Sequence, residues 1–176
     1  MTYTDYRRLF NTAEEFEKDF GNKSEEEAKA LISTIQGSAA IKAAAFSKWR
    51  EAHKRCERER LQSINRFASK WLDRFNDPTV QYIELVDHWM ADDCRALGFE
   101  MDCGTAFSEK YAVAFNDCDA LCKIIDEITD ISLLGSAVYS KWRYFNHWAY
   151  SGDEILEPKN KKWFVTVLSR LKALTV

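Results

Sequence analysis

From Ser38 to Phe75 the chain contains neither glycine nor proline. A stretch that long without a breaker is a helix, and a straight helix of that length spans about 57 Å at 1.5 Å per residue. A domain of 176 residues is only about 40 Å across, from the expected radius of gyration plus its surface shell. The stretch is therefore expected either to project beyond the body or to break. The place that invites a break is Lys54-Arg55-Cys56-Glu57-Arg58-Glu59-Arg60, where only the cysteine is uncharged. Beyond it Leu61, Ile64, Ala68, Trp71, Leu72 and Phe75 recur at helical spacing.

The remaining segments read as shorter helices. Asn11 or Thr12 caps a helix to Phe20, closed by Gly21, and Ser24 with Glu27 forms a capping box for a helix to Gly37. Asp77-Pro78 places an N-cap before a first-turn proline, starting a helix to Leu97 that stops at Gly98. Residues 99–104 read as a loop, and 105–115 as a short helix or a strand-like connector. A helix is expected over 117–130, an aromatic one over 131–150, and after a turn at 151–153 a last one from Glu157-Pro158 to about Leu174. With 6 Gly and 2 Pro there is little material for the tight turns of a β fold. The expected fold is all-α: a single-domain helical bundle, residues 1–176, of about six or seven helices.

No apolar run approaches the roughly 18–20 residues a membrane span needs, and no basic stretch with an apolar core opens the chain. Five cysteines without a regular framework fit free thiols. These features lead to the expectation of a soluble, cytoplasmic protein without a membrane association.

The formal net charge of −3 is a cancellation. Residues 1–40 carry net −3, residues 41–76 net +6, residues 77–130 net −10 and residues 131–176 net +4. Sorted charge marks either helices that pair with one another or a surface of one sign turned to a partner.

The basic block supplies one candidate site. Arg50, Lys54, Arg55, Arg58 and Arg60 would bind nucleic acid if several of them share a face and neutralise phosphates. Glu51, Glu57 and Glu59 interleave with them, and on helices such neighbours often form internal pairs.

The aromatic helix supplies another. At about 100° per residue, Leu134, Val138, Trp142, Phe145 and Ala149 share an inward face. Opposite them fall Ser136, Tyr139, Ser140, Arg143, His147 and Tyr150. Tyr and Arg are enriched at interface hot spots, so Tyr139, Arg143, His147 and Tyr150 are the candidate surface for a protein partner. The acidic block, able to imitate a phosphate backbone towards a basic partner, would support an inhibitory or regulatory role.

Metal chemistry has weaker footholds. Glu84, His88 and Asp92 recur one turn apart, but opposite the apolar arc of their helix, whereas bundle ligands project inward. Cys94, Cys103, Cys118 and Cys122 lack the paired C-x2-C spacing of zinc modules, and Cys118 and Cys122 share the inward face of their helix. Glu127 and Asp130 have the Glu-x-x-Asp form that holds magnesium in some helical hydrolases, with no partner motif in sight. Phosphate loops, nucleophile elbows and dinucleotide fingerprints are absent from the sequence. The reading is a protein that acts by binding another protein rather than by catalysis, without a cofactor, with nucleic-acid binding as the alternative and a metal-dependent hydrolase as the third. One local echo, Phe46-Ser-Lys-Trp-Arg50 against Tyr139-Ser-Lys-Trp-Arg143, is expected to reuse one amphipathic recipe: Trp inward, Lys and Arg reaching back to water.

Overall fold

The computed structural model describes residues 1–80, 89–99, 105–148 and 153–176. These fold as α-helices and 3-10 turns, with no strand among the described residues. The all-α class is as expected. The helices are more numerous: α1 Tyr3–Arg7, α2 Ala13–Gly21, α3 Glu25–Ser33, α4 Ala39–Asn76, α5 Trp89–Ala96, α6 Thr105–Lys110, α7 Ala112–Asn116, α8 Cys118–Ile124, α9 Ile131–Trp148 and α10 Pro158–Leu174. The excess comes from α1, which has no counterpart among the expected helices, and from the division of residues 105–116 into α6 and α7. Residues 117–130, expected as one helix, form α8 and a 3-10 turn at Ile125–Glu127.

The chain divides into two compact units, Met1–Leu61 and Gln62–Val176. Helix α4 crosses the division without a break. Of the two alternatives the sequence left open, the break, placed at Lys54–Arg60, is absent. Lys, Arg and Glu are good helix formers, and the side chains at 54, 55 and 57–60 are all exposed, so the charge cluster marks a loss of burial and not a loss of helix.

In the first unit, three reciprocal capping boxes start the short helices: Thr2 with Asp5, Thr12 with Glu15, and Ser24 with Glu27. Each satisfies two backbone donors that a helix start leaves open. The core is unusually aromatic. Tyr6, Phe16 and Phe20 are buried with Ala28, Ile32, Ala45 and Trp49, and Tyr3 and Phe10 pack against them. The Trp49 indole donates to the Lys23 carbonyl at 3.2 Å, and the His53 ring stacks on Trp49 while its Nδ1 lies 2.7 Å from the Gly21 carbonyl oxygen.

In the second unit, Ile64, Phe67, Ala68, Trp71, Leu72 and Phe75 of α4 join a core with Leu134, Val138, Trp142 and Phe145 of α9 and Trp163, Phe164, Val167, Leu168 and Leu171 of α10. Buried indoles again find acceptors, Trp71 on Asp93 at 2.9 Å and Trp163 on the Ala114 carbonyl at 2.8 Å. Residues 77–80 form a turn in which Asp77 accepts from the Thr79 amide, residues 81–88 lie outside the described ones, and the chain leaves α5 through Gly98, whose φ of 71° admits the left-handed cap.

Two glycines mark backbone approaches that leave no room for a side chain. A Cβ on Gly21 would stand 2.8 Å from the Ala52 carbonyl group and 2.9 Å from the Cys56 sulfur, and one on Gly135 would collide with the Phe99 ring. Gly21→Ala is expected to destabilise residues 1–61, and Gly135→Ala residues 62–176, each by about 1–3 kcal/mol. Hydrogen-exchange mass spectrometry should show lowered protection in the unit that carries the substitution, and full protection in either variant would disprove the steric argument.

Candidate functional site

Helix α9 is packed against α5, α6 and α10. A helix with neighbours on several sides buries more than one stripe, and this overturns the expected solvent face. Tyr139 is buried, with 6% of its surface exposed. Its hydroxyl accepts from the Arg95 guanidinium at 3.2 Å. Ser136, Ser140 and Arg143 are half-buried. The side chain of His147 and the whole of Tyr150 lie outside the described residues. Among the described side chains of α9 the aromatic that faces solvent is Tyr144, 51% exposed.

The echo between Phe46–Arg50 and Tyr139–Arg143 divides at its lysine. Trp49 and Trp142 are both buried, as expected. Lys48 is exposed, whereas Lys141 is 5% exposed. The Lys141 ammonium donates to the Phe115 carbonyl at 2.7 Å and lies 4.8–5.9 Å from the ring centroids of Phe115, Tyr144, Phe145 and Trp163. Burial, helped by the nearby Lys159 charge, pushes its pKa down to about 8. The rings and the carbonyl are what makes the ammonium tolerable there at neutral pH.

The metal candidates come apart. Glu84 and His88 lie outside the described residues, and Asp92 is exposed and pairs with Arg95 at 2.6 Å. Cys94 and Cys118 are buried, Cys122 is exposed against the expectation that it points inward, and Cys103 lies outside the described residues. Asp130 accepts from the Leu133 amide at 2.9 Å, capping α9, and Glu127 is exposed. Among the described residues no group of three or more His, Cys, Asp and Glu side chains is placed to hold a metal ion.

The basic residues of α4 sort into engaged and open ones. Arg55 pairs with Glu17 at 2.7 Å. Lys42 donates to the Ser33 carbonyl, Arg66 to the Ser63 hydroxyl, and Lys70 pairs with Asp93 at 2.5 Å. Arg50, Lys54 and Arg58 are exposed and follow one another at four-residue intervals, about 6 Å apart along one face. Arg50 lies over the Phe46 ring at 5.0 Å, and Lys54 and Arg58 are in no ion pair among the described residues. Arg60 is exposed but projects away from this row.

Beside the row, still within the first unit, a cleft of about 270 Å3 opens between α1, α2 and α4. Tyr3, Phe16 and Phe20 form its floor, Arg7, Lys48 and Arg55 its cationic rim, and Glu17 and Glu51 stand among them. The sequence reading missed this cleft because α1 is only five residues long and shows no periodicity.

No helix among the described residues is long and apolar enough to cross a membrane. No protein-family model, curated protein or solved structure matches the chain.

Lys141 yields a pH test. Its folded pKa lies below that of the unfolded chain, so the unfolded state binds the proton more tightly between about pH 8 and the ordinary lysine value near 10.4. Across that window the contribution of Lys141 to stability rises with pH, and below it the burial penalty is fully felt. The stability of Lys141→Met relative to wild type should therefore fall by on the order of 1–3 kcal/mol between pH 7 and pH 10.5. Paired chemical denaturation curves measure this difference, and a difference constant with pH would mean that Lys141 keeps its proton as in water.

Proposed function

We propose that this protein works by binding nucleic acid, through the phosphate backbone, along the exposed edge of α4 formed by Arg50, Lys54 and Arg58. The observation that carries the reading is the row itself: three exposed cations at one-turn intervals, with Lys54 and Arg58 in no ion pair among the described residues. Cations engaged within the fold have little to offer a polyanion, whereas open ones release condensed counterions when phosphates replace solvent. Glu51 and Glu57 lie beside the row and temper its field, so the binding is of moderate strength and strongly salt-dependent.

Docking on a protein partner through α9 is the second reading. It loses Tyr139 to the core, retains half-buried Arg143 and has exposed Tyr144 beside it. The exposed carboxylates of Glu109, Asp126 and Glu127 suit a basic partner.

Fluorescence anisotropy with labelled single-stranded and duplex oligonucleotides over a salt series separates the two. About three phosphate contacts give a slope of log Kobs against log salt of roughly −2 for single strands and nearly −3 for duplex. The triple variant Arg50→Glu, Lys54→Glu, Arg58→Glu should abolish binding while keeping the helical circular dichroism of the wild type. Absence of binding at low salt, or binding indifferent to the triple variant, would overturn the nucleic-acid reading in favour of the protein partner.

A further inference from the structure

The cleft and the cationic row occupy adjoining faces of α4. Around the helix axis Glu51 projects about 60° from Lys54, and Arg55 about 100°. A ligand held along the row thus reaches the cleft by turning one unit of its chain inward. The floor is rigid. The half-buried Tyr3 ring meets Phe16 and Phe20 edge-on at 5.9 and 5.8 Å, and its backbone amide donates to the Thr34 hydroxyl at 2.8 Å. The Arg7 guanidinium lies over Phe16 at 5.5 Å, adding a second flat, cationic surface. On the rim Lys48 is exposed and in no ion pair among the described residues, and the Glu51 carboxylate stands one turn along the helix from it.

A flat π surface, an open ammonium and a carboxylate together match the parts of one unpaired nucleotide. The base has two faces for stacking, its phosphate pairs with an ammonium, and an N–H on its edge, the amino group of adenine, guanine or cytosine or the N3 imide of uracil, donates to a carboxylate. A base inside a duplex offers neither of its faces. At about 270 Å3 the cleft falls just below the usual range of drug-sized pockets, about 300–1,000 Å3, which suits one ring system.

We infer that the cleft receives a single unstacked base of a strand whose phosphates lie along Arg50, Lys54 and Arg58, so that the ligand class is single-stranded nucleic acid, DNA or RNA. This rests on the nucleic-acid reading of the row and adds the choice of single strand over duplex.

The test is photo-crosslinking of the full chain to DNA and RNA strands carrying one 5-iodouracil, alone and annealed to their complements, with adducts mapped by mass spectrometry. Adducts on Tyr3 with a single strand and not with its duplex are expected, and the two strand types decide between DNA and RNA. Tyr3→Leu, which keeps apolar packing against the phenylalanines, should remove the adduct and lower the single-strand preference in anisotropy about tenfold. Circular dichroism checks that this variant folds, and Lys48→Ala, an exposed substitution, should reduce the preference in the same direction. Adducts elsewhere, or equal crosslinking in the duplex, would overturn the cleft while binding that still depends on the triple row variant leaves the reading of the row intact. A wild-type chain that binds no oligonucleotide at low salt overturns both.

Discussion

A 38-residue helix has to be covered along most of its length, and α4 is covered in two separate stretches. Ala45, Trp49 and Ala52 are buried in the first unit, and Ile64, Phe67, Ala68, Trp71, Leu72 and Phe75 in the second. Each large side chain so buried contributes about 1.5–3 kcal/mol, enough to hold a helix whose own propensity would not sustain it in water. Between Ala52 and Ile64 no side chain of α4 is buried. That interval is where the helix can carry charge at little cost, and Lys54 and Arg58 fall in it, one and two turns beyond Arg50. The open cations exist because burial fails there.

This also explains what could be read from the sequence alone. The capping box at Ser24 and the stripe of α4 from Ile64 to Phe75 depend on residues three or four apart, so spacing reveals them. The charge run at Lys54–Arg60 was legible as an interruption, but of burial and not of helix; periodicity alone cannot separate the two when every residue in the run is compatible with a helix. The short helices α6 and α7 were poorly legible because distant groups hold them. The Trp163 indole takes the Ala114 carbonyl and the Lys141 ammonium the Phe115 carbonyl, contacts across 49 and 26 residues that leave no local signature.

Helix α9 shows the opposite failure, a clear pattern with the wrong meaning. A helical wheel assumes one dry side and one wet side. With α5, α6 and α10 around it, α9 needs polar groups that can be satisfied in the interior. Tyr139 meets that need with the Arg95 guanidinium, and Lys141 with a carbonyl and four rings. Polar residues on a wheel therefore marked interior anchors, and the types that suggested a docking surface are the types that bury well when paired.

The alternating charge blocks acquire a physical division of labour on the same grounds. Carboxylates gather where helices begin. Asp5, Glu15 and Glu27 close capping boxes, Glu14, Glu25 and Glu26 sit in first turns, and Asp117 and Asp130 cap α8 and α9. There they complement the positive end of the helix dipole and accept from open amides, which explains the surplus of residues 1–40, and of residues 77–130 Asp117 and Asp130, by local structure without any partner. Arg55 and Lys70 of α4 are paired with Glu17 and Asp93, but Lys54 and Arg58 have no such local role among the described residues. The row from Arg50 to Arg58 lies far from both ends of the helix, beyond the reach of the dipole, which fades within a turn of either end. Holding three like charges about 6 Å apart on one face is mildly unfavourable to the isolated helix. Nothing in the first unit compensates Lys54 and Arg58 with an ion pair among the described residues, and an extended anion laid along that face would supply the compensation that the fold does not.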